Sequence, residues 1–235
     1  MTVGIVGHYQ NGKSTLINCL IGRYVCPTGD GSISTTSKIS KHCFGKDTVL
    51  IDTPGLDANE EDNRETQSIL NQLDCAIIVL QNKGLSTKDR IAINLLNRYG
   101  CPIMAIINCT DYGNKNKWSP SSDFNKRIQN EIKTQLNGFL TVDGFDVMLV
   151  NLQWYWYTIE GYKDEPDTKQ IELLERMEYF FGEHKDREKI KKESNVPDMV
   201  RLLSDENNFI SVKLYQKFNK NIISMKHKLE HFQTK

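Results

Sequence analysis

Residues 7–14 read GHYQNGKS, and this stretch decides the fold. It matches the pattern G-x-x-x-x-G-K-[ST] and lies between an apolar segment, residues 2–6, and a helical pattern over residues 13–21. A glycine-rich turn between a strand and a helix directs backbone N–H groups and the positive end of the helix dipole toward a phosphate group. We therefore expect this loop to bind a nucleotide phosphate, with the Lys13 amine on the β- and γ-phosphates and the Ser14 hydroxyl on Mg²⁺.

The sequence around this loop predicts an α/β fold. From residue 2 to about residue 150, short apolar segments alternate with helical periods, which is typical of a mostly parallel sheet with helices on both faces. We predict a three-layer α/β/α sandwich, with its six strands at residues 2–6, 38–44, 48–52, 75–80, 102–108 and 145–150. The predicted helices between them cover residues 13–21, 60–73, 86–100 and 119–138.

A second motif follows the predicted strand at residues 48–52. Residues 52–55 read DTPG and begin 39 residues after Lys13. The Asp52 carboxylate at a strand end can hold Mg²⁺ through water, and the Gly55 N–H is placed to contact a γ-phosphate.

A third motif, NCTD, occupies residues 108–111 directly after another predicted strand. The Asp111 carboxylate can accept two hydrogen bonds, from N1–H and from the exocyclic amine of guanine, and adenine cannot donate both in that arrangement. The motif therefore indicates a preference for GTP over ATP.

These three motifs, in this order, resemble the translation-factor-class GTPases, and they look nearest to the dynamin-like and Era-like G domains. The resemblance covers about residues 2–151 and implies Mg²⁺-dependent hydrolysis of GTP to GDP. It assigns Lys13, Thr36 and Gly55 to catalysis and Ser14, Thr36 and Asp52 to the metal. It also implies nucleotide contacts from Gln10, Asn11, Gly12, Lys13, Ser14, Thr15, Asn108, Asp111 and Asn151.

The chain departs from the family pattern at three positions. Cys109 replaces the usual lysine of the third motif. The base-contacting Ser-Ala pair of the family is absent, and residues 150–152 (VNL) occupy its place, which makes Asn151 the candidate there. Leu56 replaces the glutamine that orients the attacking water in Ras-like enzymes. Because leucine cannot orient water, the resemblance implies activation by G-domain dimerisation, by another partner, or by K⁺ beside the phosphate loop. Gln10 occupies the family's potassium-binding position there.

Composition excludes several other classes. The 235 residues carry 30 Lys+Arg and 30 Asp+Glu, so no global positive charge favours nucleic acid, and we expect no DNA or RNA partner. The six cysteines lack zinc-site spacing, and no apolar run approaches the ~18 residues that span a bilayer. The beginning of the chain lacks the features of a signal peptide. We expect a cytoplasmic protein.

The sequence after residue 151 is harder to interpret. Residues 151–169 look irregular and aromatic, with helices predicted at 170–181 and 195–203. The aromatic cluster at residues 154–157 is predicted to form local core, and stacking on a base or binding a partner is the alternative. We place the GTPase domain at residues 1–205 and a C-terminal amphipathic helix at residues 206–235.

That C-terminal segment is basic. Residues 209–235 contain six lysines and one glutamate, together with an apolar seam at three- and four-residue steps. Docking on the core, pairing with another helix and contact with an anionic membrane surface are all compatible with this pattern. The alternative to an enzyme is a non-hydrolysing GTP-binding scaffold that works through this helix.

Overall fold

The computed structural model describes residues 1–8, 10–28, 39–53, 68–70, 72–110, 115–137, 139, 147–182 and 186–204. The strands are β1 (Thr2–Val6), β2 (Ser40–Phe44), β3 (Thr48–Asp52), β4 (Cys75–Gln81), β5 (Ile103–Asn108) and β6 (Met148–Val150). The first helices are α1 (Lys13–Ile21), α2 (Thr87–Arg98), α3 (Lys115–Trp118) and α4 (Asp123–Leu136). A second group comprises α5 (Leu152–Thr158), a 3-10 helix (Glu160–Asp164), α6 (Asp167–Phe181), α7 (Arg187–Glu193) and α8 (Val196–Ser204).

The six strands form one sheet in the order β2-β3-β1-β4-β5-β6. The β2–β3 pair is antiparallel, and the other four pairs are parallel. The predicted mostly parallel six-stranded sheet is therefore confirmed. In a parallel sheet the strands run with their carboxyl ends at one edge, so the loops after β1, β3 and β5 meet there.

Two apolar layers cover the sheet. Strand β4 is an almost continuous apolar run because both of its faces are buried. Ile77 packs in one cluster with Ile17 of α1, whereas its neighbour Ile78 packs in the other with Ile93 of α2 and Ile132 of α4. Successive side chains of a strand point to opposite faces, and this alternation produces the predicted three-layer sandwich.

Helices α2 and α4 each begin at a serine side-chain cap. The Ser86 hydroxyl accepts from the Asp89 N–H, and the Asp89 carboxylate accepts from the Ser86 N–H, so the predicted capping box of α2 is confirmed. The predicted start of α4 at Ser119 is wrong, because the cap is Ser122. The Asn125 amide of α4 donates to the Ser119 carbonyl and fixes that residue in the preceding turn.

The segment after β6 is more regular than predicted. Residues 152–158 form α5, and Trp154, Trp156 and Tyr157 are buried in the cluster that also holds Leu16 and Ile17 of α1. The prediction that the aromatic residues form core is confirmed. Ile190 of α7 is buried in the same cluster.

The outer edge of β6 is covered by the turn between α7 and α8. The Asn195 amide donates to the Leu149 carbonyl at 3.0 Å, and the Ser194 carbonyl accepts from the Asn151 N–H at 2.9 Å. Asn195 has a φ of +59°, a left-handed conformation that asparagine tolerates better than most residues. This turn satisfies backbone groups that would otherwise form an open sheet edge.

Within the described residues, no helix combines the length and apolar character needed to cross a bilayer. The predicted helix at 60–73 lies mostly outside the described residues, and the predicted C-terminal helix at 206–235 lies entirely outside them.

Candidate functional site

The loop between β1 and α1 depends on two glycines. Gly12 has a φ of +99°, and a Cβ atom there would lie 2.6 Å from the Asn108 amide nitrogen. Gly7 has a φ of +155°, and its Cβ would lie 2.5 Å from the Val79 carbonyl oxygen. Both positions therefore require glycine, for backbone conformation and for close approach to β4 and β5.

Helix α1 begins at Lys13, and its N-cap Gly12 supplies no side-chain cap. The N–H groups of the first turn are therefore available to an anion, which the positive end of the helix dipole favours. The Lys13 side chain is largely buried, and its ammonium donates to the carbonyls of Gly7 and His8 at 3.1 and 3.2 Å. A positive charge thus lies against the phosphate loop.

Ser14 and Asp52 lie together beside this loop. The Ser14 hydroxyl is 3.4 Å from a carboxylate oxygen of Asp52, the buried last residue of β3. The next residue, Thr53, is fully buried and donates its hydroxyl to the Ile5 carbonyl at 2.8 Å, which fixes the end of β3 against β1. A hydroxyl and a carboxylate are hard oxygen ligands of the kind that Mg²⁺ prefers, so this pair fits the expected metal.

A buried thiol borders the same carboxylate. Burial, with the negative charge of Asp52 as a further cause, raises the pKa of Cys26 to about 12. The Cys26 sulfur also lies 3.2 Å from the His42 ring nitrogen Nε2.

Asn108, the last residue of β5, connects the third motif to the phosphate loop. Its amide nitrogen donates to the Asn11 carbonyl at 3.1 Å, and its amide oxygen accepts from the Leu152 N–H at 3.3 Å. The Asn11 side chain in turn donates to the Val79 carbonyl at 2.7 Å. These bonds hold the expected phosphate-binding and base-binding parts at a fixed separation.

Cys109 stands at the position of the family lysine, but its side chain lies in the core. It is fully buried in the cluster that includes Ile107 and Leu149, and its N–H donates to the Val150 carbonyl at 2.8 Å. Burial raises the pKa of its thiol to about 12. Its side chain therefore belongs to the core.

Asn151 has different partners from those expected of a base-contacting residue. Its side chain is fully buried and makes hydrogen bonds to three backbone groups, those of Cys109, Trp118 and Trp154. Both N–H groups of the amide donate within the protein, so the expectation of a direct contact with the nucleotide is corrected here. Of the other predicted residues, Gln10 lies on the phosphate loop and Thr15 lies on α1. Thr36, Gly55 and Asp111 lie outside the described residues.

Sequence reasoning missed two buried asparagines near the third motif. Asn82 follows β4, and Asn125 lies on α4; both donate to the Lys117 carbonyl at 2.8 Å. Asn82 could have been found from the sequence, because a polar residue directly after a buried strand indicates a candidate site residue. Asn125 lies on the buried face of its helix, where an apolar residue is the usual expectation.

Comparison with known proteins agrees with this geometry. Residues 2–109 match the family described as 50S ribosome-binding GTPase, a little under half of the chain. GTPase Era from Xylella fastidiosa (strain M12) is 30% identical over 118 residues, which cover 46% of this chain and 39% of that protein. The chain therefore matches well under half of this curated relative's length.

Solved structures support the same fold. Era from Aquifex aeolicus bound to GDP·AlF4⁻ superimposes with a TM-score of 0.55 at 18% identity, covering 86% of this chain and 55% of that one. Era in complex with MgGDPNP and part of 16S ribosomal RNA gives a TM-score of 0.52 at 17% identity, with the same coverages. That structure contains RNA, whereas the charge balance of this chain predicted no RNA partner. Taken together, residues 2–109 are similar to the 50S ribosome-binding GTPase family, and the fold of the chain is similar to that of Era.

Proposed function

We propose that this chain, which carries a P-loop GTPase domain of the translation-factor class, binds GTP with Mg²⁺ and hydrolyses it to GDP and phosphate. The observation that carries the proposal is the bond from Asn108 to the Asn11 carbonyl. It joins the residues expected at the base to the loop expected at the phosphates, so one nucleotide can bind to both. The match to GTPase Era from Xylella fastidiosa covers 39% of that protein, so the activity of the whole relative comes to this chain as a proposal.

The proposed roles follow the chemistry of each group. Lys13 neutralises charge on the β- and γ-phosphates, and Ser14 and Asp52 hold Mg²⁺. When bound, the metal would neutralise negative charge that develops on the phosphate oxygens. Thr36 as a further metal ligand and Gly55 as a γ-phosphate contact are proposed from the sequence motifs.

Activation of the attacking water is proposed to depend on a second copy of the domain or on K⁺. Leu56 supplies no polar group for this step. Gln10 is exposed and has a φ of +62°, which places it at the surface of the phosphate loop. Its side-chain oxygen is a candidate ligand for K⁺. The chain is thus proposed to act as a dynamin-like switch that forms a homodimer when nucleotide is bound.

The test is phosphate release under excess GTP with Mg²⁺, measured from nanomolar to tens of micromolar protein in sodium and in potassium. We expect slow turnover per molecule that rises with protein concentration. A flat turnover would contradict activation by dimerisation, and equal rates in the two salts would contradict a role for K⁺. Tight GTP binding without phosphate release would instead favour the non-hydrolysing scaffold.

Lys13→Ala tests the phosphate loop itself. We expect the variant to bind GTP at least ~100-fold more weakly, because an ammonium makes charge-assisted bonds to two phosphates. Lys46→Ala, in the exposed turn between β2 and β3, is the matched control and should bind like the wild type. Equal affinity of Lys13→Ala and the wild type in a fluorescent-nucleotide titration would show that the loop does not bind phosphate.

We also propose that residues 206–235 form a separate basic element after a domain spanning residues 1–205. Its local charge favours an anionic partner, either a membrane surface or a helix of another protein. RNA is a further candidate because one of the Era structures contains it. Co-sedimentation of the chain with anionic liposomes, compared with binding to 16S ribosomal RNA, distinguishes these partners.

A further inference from the structure

The loop that follows α1 is held in place by a buried asparagine. The Asn18 amide oxygen accepts from the N–H groups of Val25 and Cys26 at 2.9 and 2.8 Å, and its amide nitrogen donates to the Cys26 carbonyl at 2.9 Å. Asn18 and Cys26 are both buried. The backbone of Cys26 is therefore bonded through its N–H and its carbonyl, which fixes the position of this residue relative to α1.

Strand β2 contacts the Cys26 thiol from another side. The Cys26 sulfur lies 3.2 Å from the Nε2 atom of His42, and the same nitrogen lies 2.9 Å from the Ser40 hydroxyl. Ser40 is paired with Asp52 in the antiparallel register of β2 and β3. The thiol therefore lies near the end of β3, where the Asp52 carboxylate is located.

The Cys26 thiol and the Asp52 carboxylate interact directly. Burial, the negative charge of Asp52 and a hydrogen bond to Asp52 together raise the pKa of the Cys26 thiol to about 12. Since a carboxylate has only acceptor atoms, Cys26 is the donor in this bond. The Asp52 carboxylate also lies 3.4 Å from the Ser14 hydroxyl. The hydroxyl and the thiol thus approach this carboxylate from α1 and from the loop after it.

The His42 ring orients the thiol. The thiol carries a single hydrogen, so it cannot donate to Asp52 and to His42 at once. When this hydrogen is on the Asp52 side, the contact between the Cys26 sulfur and Nε2 needs a proton on Nε2, with the sulfur as the acceptor. His42 then keeps the thiol hydrogen directed toward the carboxylate.

We propose that Cys26 is a positioning residue for the metal site: its thiol donates to the Asp52 carboxylate and holds it in the orientation in which Asp52 and Ser14 bind Mg²⁺. This inference rests on the proposed function, which assigns Ser14 and Asp52 to the metal. Cys26 thus acts on the metal through Asp52 and is not itself a ligand.

The expected consequence is specific to the metal. A side chain that is already held in one orientation loses less conformational entropy when it binds a ligand, so the thiol favours metal binding. The nucleotide phosphates are assigned instead to Lys13 and the loop after β1. Loss of the thiol should therefore weaken the binding of Mg²⁺ and leave the binding of GDP without metal largely unchanged.

Two substitutions of similar size separate the hydrogen bond from packing. Cys26→Ser keeps a donor, a hydroxyl in place of the thiol, whereas Cys26→Ala has no side-chain donor. Cys19→Ser and Cys19→Ala are the matched controls. Cys19 is also buried and packs in the same apolar cluster as Cys26, but its thiol donates to the Leu152 carbonyl at 3.5 Å.

The measurement is the dissociation constant of Mg²⁺ from the GDP complex of the folded full chain, by calorimetric titration of protein saturated with GDP. We expect Cys26→Ala to weaken Mg²⁺ binding about fivefold, the effect of losing one hydrogen bond, and Cys26→Ser to stay within about twofold of the wild type. The affinity for GDP in EDTA should stay within about threefold of the wild type in both variants. The two Cys19 variants should bind Mg²⁺ like the wild type.

Equal Mg²⁺ affinities of Cys26→Ser and Cys26→Ala would mean that Cys26 only fills space, and this result overturns the inference while leaving the proposed function intact. A wild type that binds no GDP, or whose GDP complex binds no Mg²⁺, contradicts the proposed function and the inference with it.

His42→Phe decides the question if the Cys26 variants fail to fold. It keeps an aromatic ring at a half-buried position of β2 and removes the Nε2 atom that orients the thiol. A Mg²⁺ affinity about twofold or more below that of the wild type then supports the inference. The wild-type Mg²⁺ affinity in His42→Phe overturns it.

Discussion

At the residue scale, Gly12 and Asn108 approach each other closely in the site. The space that a Cβ atom of residue 12 would need is already occupied by the Asn108 amide nitrogen. Asn108 cannot withdraw freely, since it also bonds to the Asn11 carbonyl and to the Leu152 N–H. The phosphate loop and the third motif can therefore meet at Asn108 only because position 12 has no side chain.

Gly12→Ala should weaken GDP binding by at least ~10-fold, because the new methyl group displaces Asn108 and strains a left-handed backbone. Gly45→Ala is the control. Gly45 also has a positive φ, of +65°, but nothing lies within 4 Å of its Cβ position. The Gly45→Ala variant should lose about 1 kcal/mol in free energy of unfolding, which lowers the melting temperature by a few degrees. Its GDP affinity should be unchanged. Similar GDP affinities for the two variants in a calorimetric titration would contradict this account.

Features that depend on neighbouring residues in the sequence could be predicted. The loop at residues 7–14, the strand at 48–52 and the capping box at Ser86 each depend on neighbours in sequence, and all three agree with the structure. Asn151 differs, because its partners Cys109 and Trp118 are 42 and 33 residues away. No local pattern distinguishes a buried asparagine that bonds to distant carbonyls from one that contacts a ligand.

At the element scale, the turn between α7 and α8 completes the sheet. It supplies to β6 the hydrogen bonds that a seventh strand would supply, through Ser194 and Asn195. The sequence predicted a helix beginning near this turn. It did not predict the link to β6, because the bond joins Asn195 to Leu149, 46 residues earlier.

Two substitutions separate the bond from the backbone conformation at Asn195. Asn195→Gly loses the bond to Leu149 and keeps a residue that accepts a positive φ, whereas Asn195→Ala loses the bond and adds strain. We expect both to destabilise the fold, the alanine variant by about 1 kcal/mol more than the glycine variant. Urea unfolding would measure the difference. The reverse order would show that the left-handed conformation carries no strain.

At the scale of the whole molecule, a buried carboxyl joins the loop after α1 to the C-terminal helices. The Thr28 hydroxyl donates to the Glu165 carboxylate at 3.0 Å, and Glu165 lies between the 3-10 helix and α6. Burial raises the pKa of Glu165 above its usual value, although the Thr28 and Trp156 contacts and the charge of Lys169 oppose the shift. The folded chain thus holds this proton more tightly than the unfolded chain.

Stability should therefore decrease as pH rises from about 4, the ordinary pKa of a glutamate, through the raised value in the folded state. Glu165→Gln stays neutral and keeps an oxygen for Thr28. We expect it to melt above the wild type at pH 7, with the difference shrinking toward pH 4. Glu175→Gln, on the exposed face of α6, is the control and should show no such pH-dependent gain. A Glu165→Gln difference that is constant from pH 4 to pH 7 would contradict the assignment.

The covered edge of β6 also bears on how the chain can be divided. Residues 2–109 carry the family match, yet the sheet needs β6 and the turn at residues 194–195 to be complete. A shortened chain that ended before this turn would expose the Leu149 carbonyl and the Asn151 N–H along a free strand edge. Such edges pair with other chains and lead to aggregation. The turn between α7 and α8 therefore protects the edge of β6 from pairing with another chain.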